Sequence, residues 1–254
     1  MTDSSYYNKI GFLSSSTLKI IACVLMLIDH VGFFLFPHIL AFRLIGRAAF
    51  PLFAFLVAEG CKYSKNKLRH LTLIFAFGMF FMLFYCIYDG KIYVNIFLTF
   101  SFSILIIYLL QFLKKWLFFE FKILKLLISL LIFAVALSLT YMLFDFIHFE
   151  YGYKGMLVPV AVSLCDTRGV NAPTILRKLD NHWVKLLCFS VALFVLCINA
   201  NFGIYQFYCF IAVLIAMFYN GKAGNKKLKY AFYVFYPAHL AILTLISFLI
   251  SFFS

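Results

Sequence analysis

Residues 18–37 read LKIIACVLMLIDHVGFFLFP, and the fold turns on how this stretch is understood. A helix needs about 20 mostly apolar residues to cross a hydrocarbon core about 30 Å thick, and this run has that length. It nevertheless carries Lys19, Asp29 and His30. Ionisable groups inside a span are costly and, away from its ends, face a protein or water-lined interior. The step from Lys19 to His30 returns to within about 20° of the same helix face, about 16 Å further along the axis. Lys19, Met26 and His30 therefore share one stripe, with Lys19 near a mouth and His30 deep. Asp29 lies about 100° round from His30, so the two need not touch.

The surrounding chain has the same character. Of 254 residues, 65% are hydrophobic and 12% charged, and the mean hydropathy is +1.02. Soluble domains carry about 25% charged residues, so the class is an all-α polytopic integral membrane protein. The 35 Phe and 16 Tyr fit partly as aromatic belts at the two interfaces. A net charge of +13 does not point to nucleic acid, because the Lys and Arg are scattered over short loops beside apolar runs. The partner expected is the lipid bilayer. Seven cysteines show no CxxC or Cys/His spacing, so neither a disulfide framework nor a metal site is expected. Residues 1–17 form a short polar, Ser-rich segment without the pattern of a removable signal peptide. Residues 18–254 are expected to form one transmembrane helical domain.

After the first span, about eight more are expected: 48–63, 68–88, 94–113, 123–144, 151–165, 183–199, 202–219 and 230–252, about nine in all. The second is interrupted by Pro51, and the sixth, with Gly152, Gly155 and Pro159, reads as a broken or re-entrant entry. Lysines and arginines concentrate after the second, fourth, sixth and eighth spans, which places the N-terminus in the cytoplasm. The lipid bilayer expected is then one that borders the cytoplasm. Arg43 and Arg47 break this alternation by falling on the outer side.

Those two arginines are at i, i+4 and share a face of any helix they form. They either snorkel to head groups or line a cavity that binds phosphate or carboxylate. His30 either hydrogen-bonds a neighbouring helix or, as a neutral imidazole in a dry site, takes a proton from an amine or hydroxyl. Tyr233, Tyr236, Pro237 and His239 form a second group. His239 lies about 14 Å into the last span and His30 about 18 Å into the first, so the two rings are expected at similar depth. A kinked packing helix is the plainer reading of this group. Glu59 is a buried carboxylate expected to pair with Lys19 or a loop lysine. Asn95 is a weaker cavity candidate, since polar residues in spans more often serve packing. No P-loop, GxSxG, HExxH or Rossmann glycine pattern is present.

LKIIACVLMLIDHVG, RLIGRAAFPLFAFLVAEG, YGYKG with Pro159, and LKYAFYVFYPAHL occur in that order. Together they resemble the TraX family, multi-spanning bacterial membrane proteins named for a conjugal-transfer protein that N-acetylates pilin. The Lys19 to His30 spacing is also similar to the first helix of membrane acyltransferases that acetylate surface sugars, where the basic residue is usually Arg. The resemblance implies a transmembrane acyltransferase that moves an acetyl group from cytoplasmic acetyl-CoA to a pilin, glycan or lipid acceptor, with no metal. Lys19 with Lys62 and Lys65 would meet the cofactor phosphates, while Arg43 and Arg47 would hold the thioester or the acceptor. His30 would be base or acetyl carrier, Asp29 would balance the imidazole through a partner, and Tyr236 with His239 would close the far wall. A transporter or flippase for an anionic envelope substrate, or a non-enzymatic assembly factor, are the alternatives.

Overall fold

The computed structural model describes residues 11–89, 94–118, 123–147, 149–167, 173–198, 203–225 and 229–253. Among the described residues, six helices are long and apolar enough to cross a membrane: Ser15–Phe34, Leu40–Tyr63, Lys67–Ile87, Ile96–Phe118, Ile123–Phe146 and Val234–Phe253. The protein is an all-α polytopic membrane protein. Three of the expected spans are shorter than foreseen. The one at 151–165 is an 11-residue helix, about 16 Å long. The ones at 183–199 and 202–219 are the shorter apolar helices His182–Cys197 and Gly203–Met217. The chain divides into two compact units, residues 1–56 with 197–254, and residues 57–196.

The first unit holds α1 (Ser15–Phe34), α2 (Leu40–Gly46), the start of α3 (Ala49–Tyr63), a 3₁₀ stretch (Gly203–Phe210), α10 (Ile211–Met217) and α11 (Lys229–Phe253). Ser14 caps α1 by accepting the Thr17 N–H at 3.2 Å, which satisfies one of the donors a helix start leaves open. Just ahead of it, Leu13 exchanges backbone hydrogen bonds with Phe218 and Asn220, and Ser15 N–H donates to Lys222. The entry to α1 is thus sewn to the α10–α11 connection. Along its length α1 packs on α2 and α11, and far down the pair Ser247 Oγ donates to the Phe34 carbonyl at 3.3 Å. Residues 38–47, which fall between the first two expected spans, are largely helical: α2 begins at Leu40 and breaks at Arg47–Ala48 before α3 resumes. Pro51 costs α3 nothing, because it sits in the first turn where no N–H partner exists.

The second unit holds the rest of α3, then α4 (Lys67–Asp89), α5 (Ile96–Phe118), α6 (Ile123–Phe146), α7 (Gly152–Val162), α8 (Thr174–Leu179) and α9 (His182–Cys197, whose last residue counts with the first unit). Helix α5 is its axis, packed by α4, α6 and α7. Asn95 starts α5: its Oδ1 accepts the N–H groups of Phe97 and Leu98 at 3.0 and 3.3 Å, while Nδ2 donates to the Gly78 carbonyl of α4 at 2.8 Å. Tyr151 and Gly152 take the left-handed conformation, φ 62° and 58°, turning the chain into α7. There Ser103 Oγ donates to the Met156 carbonyl at 2.8 Å. Helix α6 turns Leu124, Leu127, Leu131, Leu139 and Met142 outward, as a lipid-facing helix does.

Candidate functional site

In the first unit the α1 stripe faces α11. At its shallow end the Lys19 ammonium lies 5.7 Å from the centre of the Phe232 ring. At its deep end His30 Nδ1 meets His239 Nε2 at 2.8 Å. The ring centroids are 5.0 Å apart with planes 26° from parallel. The nitrogen–nitrogen distance and the two ring radii account for nearly all of that separation, so the rings meet edge to edge. In-plane lone pairs and N–H bonds require this for a hydrogen bond. The other His239 nitrogen, Nδ1, is 2.7 Å from the Phe235 carbonyl. His239 is 5% exposed, with Phe235 stacked on its face at 4.8 Å and Tyr236 edge-on at 5.8 Å. His30 Nε2 is left as the ring nitrogen that does not point at His239. The two histidines expected at similar depth are therefore in direct contact. Tyr233 lies in α11, but its side chain falls outside the described residues.

Asp29 turns away from His30, as its position on α1 requires. Its Oδ2 pairs with Arg43 Nη1 at 2.6 Å, and the same guanidinium donates to the Asp29 carbonyl at 3.2 Å. Arg43 also lies 5.3 Å from the Phe33 ring centre. Asp29 thus reaches a partner on the neighbouring α2, and the Asp29–Arg43 pair ties α2 to α1. Gly46 makes the approach possible: a β-carbon there would stand 2.7 Å from the Asp29 Cα. Arg47 is buried at 6% exposure, so it does not snorkel.

The second unit contains a buried ionic cluster. Glu59 Oε1 pairs with Lys185 Nζ, the two residues being 3% and 5% exposed. Lys62 Nζ lies 3.0 Å from Asp180 Oδ1 and 3.4 Å from Asp166 Oδ1. Asp180 Oδ2 accepts the Thr167 N–H and hydroxyl at 3.0 and 3.1 Å. Burial works against the Asp180 carboxylate, but the Lys62 ammonium and the Thr167 N–H outweigh it and hold its pKa below the usual carboxylate range. Lys114 donates to the carbonyls of Ser163, Leu164 and Asp166 at 3.2, 2.6 and 2.9 Å, capping the end of α7 where the helix dipole favours a cation. Lys62 is thus engaged with two carboxylates, a correction to its reading as a phosphate ligand. Asn95 is a helix cap, not a cavity residue. Lys65 is exposed in the turn after α3. Glu59 takes a lysine, as expected. No group of three or more His, Cys, Asp or Glu placed to hold a metal occurs among the described residues.

Comparison with known proteins gives the chain its place. The family model described as "TraX protein" matches residues 14–247. The chain belongs to the TraX family. A stretch of 52 residues is 42% identical to the protein called "Uncharacterized protein RP591" of Rickettsia prowazekii (strain Madrid E), covering 20% of this chain and 21% of that protein. The chain thus matches about a fifth of that relative's length. No solved structure matches. The TraX match takes in both histidines, the Asp29–Arg43 pair and the whole cluster around Lys62. Sequence reasoning passed over Asp166, Asp180, Lys185 and Lys114 in this TraX-family chain. Their only shared signal is that each is a charged residue bordering an apolar run, and nothing local says which would meet.

Proposed function

We propose that this TraX-family protein is a membrane-embedded acetyltransferase that moves an acetyl group from cytoplasmic acetyl-CoA to a pilin or other envelope acceptor. The observation that carries the reading is the hydrogen bond joining His30 of α1 to His239 of α11 deep in apolar helices. An imidazole so placed, with Nε2 turned from its partner, is suited to take the proton of an attacking amine or hydroxyl. The acceptor's N or O attacks the thioester carbonyl, its proton passes to His30 Nε2, and the carbon–sulfur bond breaks with the electron pair on sulfur. The thiolate then recovers the proton, so acetyl-S-CoA and H–X become acetyl–X and CoA–SH. Lys19, at the shallow end of the same stripe, is the cation of this unit that suits the co-substrate's phosphates. Arg43 is unsuited to that role because Asp29 already answers its charge.

The rival is a transporter for an anionic substrate, and it loses Arg43 from its path for the same reason. Purified protein in lipid vesicles supplied with radiolabelled acetyl-CoA separates them. Acetyl turnover is the expected result. Solute uptake with no acetyl turnover overturns the enzymatic reading.

A further inference from the structure

We propose that His30 and His239 work as one proton-sharing dyad, in which neutral His239 fixes the tautomer of His30 and makes Nε2 the reactive nitrogen. Its catalytic consequence rests on the acetyl-transfer reading; the tautomer assignment does not.

The argument begins at the Phe235 carbonyl. A carbonyl oxygen only accepts, so His239 Nδ1, 2.7 Å away, must carry a hydrogen. A neutral imidazole has a single N–H, which leaves a lone pair on His239 Nε2. That lone pair faces His30 Nδ1 at 2.8 Å, so His30 Nδ1 is the donor. His30 is then the Nδ1–H tautomer with its lone pair on Nε2. One carbonyl of α11 thus sets the protonation pattern of two rings in series, as second partners of a histidine commonly do.

The same geometry limits the pair to one added proton. When His30 Nε2 takes a proton, the Nδ1 hydrogen can cross to His239 Nε2. His30 is then neutral again, and His239 carries N–H groups on both nitrogens, one still bonded to Phe235. A second added proton would set two N–H groups against each other across 2.8 Å. The charged groups facing the dyad do not change this. Arg43 approaches from α2, but Asp29 of α1 meets its charge. Sharing spreads the charge over two rings in a place where a lone imidazolium would be poorly solvated. His239 is therefore a positioning residue, and His30 the group that meets the acceptor.

The test uses the full chain labelled with [15N]histidine in lipid, with resonances assigned through His30 and His239 variants. Nitrogen–nitrogen coupling across the hydrogen bond is expected between His30 Nδ1 and His239 Nε2, with a protonated Nδ1 on each ring. A protonated His30 Nε2 in the resting state, or no coupling, overturns the proposal. In acetyl transfer, His239→Phe keeps an aromatic ring but no acceptor, whereas His239→Gln offers a carbonyl to His30 Nδ1–H. His239→Phe is expected to lower kcat more than about tenfold but less than the 10²–10⁴ of a lost general base. His239→Gln should recover part of this, with KM unchanged in both. Activity of His239→Phe equal to or above His239→Gln means that the ring only packs, which overturns the proposal. Coupling in the wild type without any acetyl turnover would instead overturn the acetyl-transfer reading and leave the tautomer standing.

Discussion

Replacing Lys185 by Met tests whether the cluster at the end of α3 holds the second unit together. Glu59 and Lys185 are 3% and 5% exposed and hydrogen-bonded to each other across 126 residues of chain. Met fills a volume like that of lysine but leaves Glu59 buried without its ammonium. Breaking a buried pair from one side costs about 3–5 kcal/mol, whereas replacing both partners by apolar residues is near neutral or stabilising. For a chain of this size about 2–4 °C of Tm accompanies each kcal/mol, so Lys185→Met should melt about 6–20 °C below the wild type. Glu59→Leu combined with Lys185→Met should regain most of that loss, since Lys62 keeps both Asp166 and Asp180. The assay is fluorescence-monitored unfolding of the three purified proteins in one detergent. A single variant within about 2 °C of the wild type, or a double variant no better than the single, would refute the reasoning.

Other outcomes follow from single contacts. Asn95→Ala should cost about 1–2 kcal/mol through the lost α5 cap, and Asn95→Asp more, because it keeps the cap acceptor but sets a buried carboxylate oxygen against the Gly78 carbonyl; the Tm series reads both. Gly46→Ala should destabilise by about 1–3 kcal/mol, because the added carbon meets Asp29. Gly60→Ala, whose nearest contact would be His70 Cε1 at 3.4 Å, should be neutral or slightly stabilising in the same assay. The Asp180 carboxylate has its pKa lowered in the folded state, so its contribution is present above the ordinary carboxylate value of about 3.9 and fades as pH falls through the lowered one. Asp180→Asn should flatten that acid limb in a Tm-against-pH series.

The sequence is legible where structure is local or periodic. The apolar run 18–37 with Lys19 and His30 on one stripe was enough to mark α1 and its inward face. Counting residues from the helix starts placed His30 and His239 at one depth, and the structure joins them. Legibility ends where pairing is long-range. Nothing near Lys62 in sequence points to Asp180, and nothing near Glu59 selects Lys185. The stretch 38–47 falls between two expected spans, yet with Asp29 opposite and Gly46 allowing close approach it is mostly helix. Asp29 adjoins His30 in sequence, yet the 100° step between neighbours turns it to Arg43 of α2. The stretches 151–165, 183–199 and 202–219 run longer in the sequence reading than the helices of the structure, because hydropathy reports composition and not where a helix ends.

The most direct measurement of the central claim compares acetyl transfer from labelled acetyl-CoA by wild-type and His30→Ala protein purified in the same lipid with matched Tm. The account predicts a loss of about 10²–10⁴-fold in the variant. Equal rates from the two proteins would contradict it.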